Sequence, residues 1–311
     1  MLNTCAIGFD TSNYTTSAAL LRNGEMDSRG KLLPVKAGEI GLRQSDAVFH
    51  HTRQLPEVFA QLGEAVRHAQ AVGVSTRPRD AEDSYMPCFL VGAGTAQMLA
   101  QTLSVPLHRF SHQQGHIAAA LYSADQLELL KQRFLAFHLS GGTTEAVLVE
   151  PDADKMFSTK LVAGSLDLKA GQVIDRIGVM LGLPFPAGRY LDPLACAYGK
   201  KIKVRASMKG ANSSLSGVEN KCRALMKCGA ESEEIAATCM EYVVASVDGM
   251  CSALLAEYGE LPVLFSGGVS SNSMLRARMT EKYGAVFAEP RFSADNAAGI
   301  AVLAALKEEG F

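Results

Sequence analysis

His112 and His116 stand four residues apart in Ser-His-Gln-Gln-Gly-His-Ile-Ala-Ala-Ala-Leu. That spacing puts both imidazoles on one face of a helix, where they can share a metal ion. Taken alone, such a pair passes equally for two half-buried helical histidines. A third, acidic ligand is on offer at Asp295, in the stretch Ser293-Ala-Asp-Asn-Ala-Ala-Gly299 that begins the last amphipathic segment. Two histidines and one aspartate suit iron, zinc or manganese alike. Peptide hydrolysis is disfavoured, because a metal helix of this spacing would need a glutamate beside its first histidine to polarise water. Gln113 holds that place, and its amide cannot take a proton.

The second group of residues with chemical potential is rich in glycine. Phe134 to Glu150 reads as strand, turn and strand around Ser-Gly-Gly-Thr-Thr, and such a turn offers backbone N–H groups to phosphate. Glycine hairpin turns are also common for structural reasons. Leu264-Phe-Ser-Gly-Gly-Val-Ser-Ser-Asn272 is more informative. It places a buried strand, a Gly-Gly turn and a helix N-terminus in succession, where amides and the helix dipole favour an anion. Asn272 then lies close enough for its amide to bond a ribose or phosphate oxygen.

The elements that position these residues alternate between strand and helix. Cys5 to Leu21 carries the same strand, polar turn, strand pattern as Phe134 to Glu150, so the sequence predicts two homologous lobes. Helical periodicity runs from about Arg43 to Gln70 and around Met98, followed by a short strand at Pro106 to Phe110 and the His112 helix. Further on come helices at Lys169 to Leu181 and Ser232 to Glu257, a strand at Pro262 to Phe265, and closing helices from Ser270 and Ala294. Proline and glycine between Leu183 and Gly188 mark a loop. The expected division is an N-terminal lobe over residues 1–110 and a C-terminal lobe over 111–311. A helical insertion occupies 165–230, and the final helix packs back on the N-terminal lobe.

The chain has 311 residues, 48% of them hydrophobic, and a formal net charge of -2. That balance argues against a protein that coats nucleic acid through a general positive field. Between Lys200 and Lys227, however, eight Lys and Arg face the single acid Glu219, either a solvated face or a local hold on a phosphate backbone. Seven scattered cysteines without a Cys-x-x-Cys indicate neither a disulfide framework nor a zinc–thiolate site. No leader and no segment of membrane-spanning length is read from the sequence, which predicts a cytoplasmic protein with no membrane association.

Two hairpins with a strand-Gly-Gly-helix element resemble the α/β, two-lobed fold of actin, sugar kinases and the Hsp70 ATPase, the ASKHA class. An ordered series of segments narrows the resemblance. His112-x-x-x-His116, Leu139-Ser-Gly-Gly-Thr-Thr, Ala170-Gly-Gln-Val-Ile-Asp-Arg-Ile-Gly178, Leu181 to Asp192, Ser213-Ser-Leu-Ser-Gly217, Ser266 to Asn272 and Ala294-Asp-Asn-Ala-Ala298 are similar to successive signatures of the TsaD/Kae1/Qri7 family. Members of that family, once called O-sialoglycoprotein endopeptidases, transfer threonylcarbamoyl from its adenylate to the exocyclic amine of adenosine in tRNA. The resemblance implies a divalent metal, iron or zinc foremost, on His112, His116 and Asp295. It also implies an adenine nucleotide or aminoacyl-carbamoyl adenylate held by His138, Leu139, Ser140, Gly141, Gly142, Asp175, Gly188 and Asn272. A carboxylate such as Asp175 can accept both ribose hydroxyls. Asp10 and Thr143 are the catalytic candidates. The implied partners are tRNA and either a second copy or a TsaB-like subunit.

Departures from the family pattern matter as well. The first hairpin of the family reads Glu-Thr-Ser-Cys-Asp-Glu-Thr, whereas Asp10-Thr-Ser-Asn-Tyr-Thr-Thr16 puts Tyr14 and Thr15 in place of two acids. Neither can act as a carboxylate base. A Gly-Pro-Gly segment before the metal helix is replaced by Arg77 to Pro87, Thr143 stands where bacterial members often have histidine, and Phe-Ser-Phe-Ser-Gly-Leu-Lys is reduced to Ser213 to Glu219. The pattern is that of a diverged paralog with an altered transfer site. Its alternatives are a carbamoyltransferase or ATPase acting on a small molecule, and a nucleotide-binding partner without catalysis.

Overall fold

Ala-Ile-Gly-Phe-Asp, the first strand, is buried along its whole length, as the centre of a sheet covered on both faces should be. The computed structural model describes residues 2–12, 14–34, 42–81, 83–292 and 296–311. In chain order the elements begin with β1 (Ala6–Asp10), β2 (Thr15–Arg22), β3 (Glu25–Leu32), α1 (Gln44–Ala60) and β4 (Ala71–Arg77). Next are α2 (Phe89–Leu103), β5 (Leu107–Ser111), α3 (His112–Ser123), β6 (Phe134–Leu139), β7 (Thr144–Asp152) and β8 (Met156–Gly164). They continue with α4 (Ala170–Met180), α5 (Gly188–Ala197), β9 (Ser207–Lys209), β10 (Asn212–Ser214), α6 (Ser216–Lys227) and α7 (Ser232–Tyr258). Last come β11 (Val263–Ser266), α8 (Ser273–Tyr283), β12 (Val286–Phe287) and α9 (Asn296–Glu308).

Contacts group these elements into two units, Met1–Glu128 with Pro151–Ser158 and Arg291–Phe311, and Leu129–Glu150 with Thr159–Pro290. The break falls after Glu128 and not at residue 110, because α3 is packed against α9. A Cβ on Gly299 of α9 would lie 1.8 Å from the Gly115 carbonyl of α3, so only hydrogen on both sides lets the two backbones come this close.

In the first unit the strand order is β3-β2-β1-β4-β5. β1 and β2 pair antiparallel from Ala6↔Leu21 to Asp10↔Ser17, and β4 lies parallel to β1. α9 is buried from Asn296 to Leu306 and rests on β1, where a Cβ on Gly8 would meet the Ala297 carbonyl at 2.1 Å. A helix apolar from Ala297 to Leu306 and rich in alanine is what such close burial requires.

The second unit repeats the plan with the order β12-β11-β6-β7-β8. β6 and β7 are antiparallel, and β11 runs parallel to β6. The repeated hairpin of the sequence thus corresponds to the same position in two equivalent sheets. α7 corrects one expectation: its 27 residues are long and apolar enough to cross a membrane by length and composition. Its apolarity has a structural cause, since Met240, Val243, Val244, Val247 and Leu254 belong to the hydrophobic core of this unit.

Candidate active site

In the second unit a cavity of about 350 Å³ opens between the β6–β7 turn, α4, α5 and the turn after β11, with Ser140, Gly141, Asp175, Gly188, Asn272 and Gly268 among its walls. The turn is locked onto α4 by one hydroxyl and one backbone carbonyl. Thr144 Oγ1 accepts from the Ala170 amide at 2.8 Å, and the Ser140 carbonyl accepts from the Gly171 amide at 3.2 Å. A Cβ on Gly171 would stand 2.7 Å from the Gly141 backbone, so glycine is needed for α4 to approach this closely. The Gly141 and Gly142 amides have no hydrogen-bond partner among the described residues, and a Cβ at either position would meet nothing within 4 Å. Donors left open in this way suit an anion.

Two carboxylates and one cation set the polarity of the walls. Asp175 Oδ1 accepts from the Ala187 amide at 2.8 Å, which ties α4 to the residue before α5. Its second oxygen has no hydrogen bond among the described residues and remains available to a ligand hydroxyl. Arg189, the one cation lining the cavity among the described residues, stacks over Tyr190 with 4.6 Å from guanidinium to ring.

Asn272 lines the cavity but is committed otherwise than expected. Its Oδ1 caps α8 by accepting from the Leu275 amide at 2.9 Å, and its Nδ2 donates to Asp192. Asp192 also accepts from the Ser273 amide at 3.1 Å and the Ser273 hydroxyl at 2.9 Å. A direct amide bond to a ligand would therefore break a helix cap. The other candidates lie outside the lining. Leu139 is fully buried in the core, His138 Nδ1 meets Ser266 Oγ at 3.1 Å, Gly142 is exposed, and Thr143 closes the turn through its backbone to Ser140.

In the first unit, Ser111 caps α3 with a reciprocal Gln114 bond, fixing the turn that carries His112. The His112 and His116 rings lie 4.6 Å apart between centroids, inclined at 69°. Asp10, at the end of β1, is only 1% exposed. Its Oδ2 lies 2.8 Å from His112 Nδ1, and its Oδ1 accepts from the Ser12 amide at 2.9 Å. Burial opposes the charge on Asp10, but the His112 imidazole, helped by Ser75 and Ser12, outweighs it and holds the carboxyl below its ordinary range. Both oxygens are taken by the protein, so the carboxylate expected to act on substrate instead orients a histidine.

With Nδ1 turned to Asp10, His112 keeps the lone pair of Nε2 for a metal, the arrangement usual for metal-binding imidazoles. The pair fits a divalent transition metal as two nitrogen ligands. No third His, Cys, Asp or Glu joins it among the described residues, and Asp295 lies outside them.

Sequence reasoning missed three polar residues. Asp192 and Arg189 fall within the Leu181 to Asp192 signature, but only Gly188 of that stretch is singled out from the sequence as a site residue. His51 of α1 is wholly buried beneath the first hairpin, with Nδ1 2.8 Å from Thr16 Oγ1. Burial pushes its pKa down to about 4, against smaller opposing effects of the Ser12 carbonyl and the Asp10 charge.

A family model described as TsaD, tRNA N6-adenosine threonylcarbamoyltransferase, matches residues 46–302. Among similar curated proteins, the tRNA N6-adenosine threonylcarbamoyltransferase of Chlorobium chlorochromatii is 29% identical over 97% of this chain and 92% of its own. That of Mycoplasma pneumoniae is 26% identical over 98% of each. Among solved structures, component A of the (R)-2-hydroxyglutaryl-CoA dehydratase of Acidaminococcus fermentans superposes with a TM-score of 0.57 at 16% identity, covering 99% of this chain and 100% of that one. HypF of T. kodakarensis does so with 0.58 at 15% identity, over 99% of this chain and 48% of its own. At such identities the structural likenesses establish the fold, which is of the ASKHA class.

Proposed function

The chain belongs to the TsaD family of tRNA N6-adenosine threonylcarbamoyltransferases, and from that premise we propose that it transfers threonylcarbamoyl from an adenylate to N6 of adenosine in tRNA. The observation that carries the reading is the cavity whose walls combine the Gly141 turn, Arg189 and a half-free Asp175. Its volume is of the size that small-molecule sites occupy. Asp175 would accept a ribose hydroxyl, and the Gly141 amide with Arg189 would hold the phosphate. Asn272, braced by Asp192, would keep the opposite wall in place.

In the reaction the adenosine amine attacks the carbamoyl carbon, the bond from that carbon to the phosphate oxygen breaks, and AMP leaves. The amine must lose a proton as this bond forms. A divalent metal on His112, His116 and Asp295 would supply Lewis acidity. Asp10 would fix the tautomer of His112 for that ion. A dimeric state, with a second copy or a TsaB-like subunit, and action in the cytoplasm follow from the family resemblance.

One observation favours a second reading, in which the adenylate is bound but the acceptor differs. Tyr14, 45% exposed, and Thr15 stand where the family pattern has two acids, and neither offers a base at neutral pH. Mass analysis of tRNA nucleosides from cells in which this chain is the sole family member separates the two. Threonylcarbamoyladenosine in that tRNA supports transfer to tRNA, and its absence with soluble protein present supports a different acceptor.

A further inference from the structure

From Lys201 to Met208 the residues alternate between exposed and half-buried, the two-residue period of extended chain. Lys201, Lys203, Arg205, Ser207 and Lys209 are exposed. Ile202 and Met208, on the inward face, pack against the core of the second unit, and β9 holds the far end by pairing with β10. We propose that this segment is a docking strip for the phosphate backbone of RNA. The assignment rests on the tRNA reading above and gives it a surface.

Spacing and charge argue for this use. At about 3.3 Å per residue, Lys201, Lys203 and Arg205 span about 13 Å, the length of roughly four stacked nucleotides at 3.4 Å each. None of these three, nor Lys209, pairs with a carboxylate among the described residues. The single acid of the surrounding run, Glu219, is already bonded to Arg176 at 3.0 Å and Arg223 at 2.8 Å. An uncompensated row of cations in a chain of net charge -2 has a field of its own, and its apolar anchors keep the charges in line. The strip also follows directly on α5. The first half of that helix lines the cavity through Gly188, Arg189 and Asp192, and from Asp192 to its end at Ala197 only about 8 Å of helix separate cavity from strip. A tRNA adenosine brought to the adenylate at the cavity mouth would leave its neighbours within reach of the cations.

The test is fluorescence anisotropy of an unmodified tRNA transcript with the full chain across a salt series. The variants are the triple Lys201→Ala, Lys203→Ala, Arg205→Ala and a control triple of equal charge change, Arg53→Ala, Lys160→Ala, Lys227→Ala. Three lost phosphate contacts should reduce the slope of log affinity against log salt by about 2 to 3. Affinity at low salt should fall at least tenfold, while ATP affinity measured by calorimetry is unchanged. The control triple should change the slope by less than one. Equal slopes in the two triples, with RNA still bound, would overturn the strip and leave the tRNA reading standing. Failure of the unaltered chain to bind RNA while binding ATP would overturn both the strip and tRNA as acceptor.

Discussion

Asp10 Oδ2 and His112 Nδ1 lie 2.8 Å apart at the end of β1 and the start of α3, 102 residues apart in the chain. The bond leaves Nε2 of His112 as the coordinating nitrogen. Replacing Asp10 by Ala should weaken divalent-metal binding about 10- to 100-fold, whereas Asp10→Asn, which keeps an acceptor oxygen but no charge, should weaken it less. Competition with a chromophoric chelator gives the affinities, and thermal unfolding without metal confirms that each variant folds. Metal affinity equal to that of the unaltered chain in folded Asp10→Ala would remove the orienting role. Loss of binding in His116→Ala is expected in the same assay.

Asp175 serves the fold with one oxygen, through the Ala187 amide, and the ligand with the other. Asp175→Asn can keep the first interaction and loses the second, so calorimetry should show adenine-nucleotide affinity reduced about ten- to a hundredfold, or 1 to 3 kcal/mol. Its urea midpoint should stay near that of the unaltered chain. Unchanged nucleotide affinity would exclude Asp175 from the site.

Asp192 gathers the Asn272 amide and both donors of Ser273 at the N-terminus of α8. Asp192→Ala removes the acceptor of the buried Asn272 amide, while exposed Ser273 can turn to water, and should cost about 1 kcal/mol in urea unfolding. Asn272→Ala should cost about 1 kcal/mol through loss of the cap. A variant as stable as the unaltered chain would contradict the capping account.

His51 makes stability depend on pH. Its pKa lies at about 4 in the fold and near 6.5 when unfolded. Between those values the unfolded chain binds more protons, so stability falls as pH drops through that window. The loss between pH 7 and pH 5 should approach 2 kcal/mol, and urea titrations of His51→Gln should show a smaller loss. An identical pH dependence in the variant would place the effect elsewhere.

The residues that could be read in sequence are those whose partners lie nearby in the chain. His112 and His116 share a helix face by spacing alone, Asn272 follows its own strand and Gly-Gly turn, and the two hairpins announce themselves by alternation. β3 was illegible because Glu-Met-Asp-Ser-Arg-Gly-Lys-Leu is a largely exposed edge strand without a buried face. β4, Ala71–Arg77, goes unread because it begins directly after the helical stretch that ends at Gln70, whose last part is in fact a 3₁₀ turn, Glu64–His68. Asp192 and Asn272 meet across 80 residues, and no local pattern reports such a pairing. Asp10 was noticed by position, but only the fold shows that its partner is a histidine.

Transfer to tRNA is measured by a single-turnover reaction of the purified, metal-loaded chain with preformed threonylcarbamoyl adenylate and an unmodified tRNA transcript, quantifying AMP and threonylcarbamoyladenosine by mass spectrometry. The account predicts both products in equal amounts, formed slowly by the unaltered chain and faster by Tyr14→Asp, Thr15→Glu, because a carboxylate base returns to the first hairpin. Release of AMP without modified adenosine in either protein would contradict it.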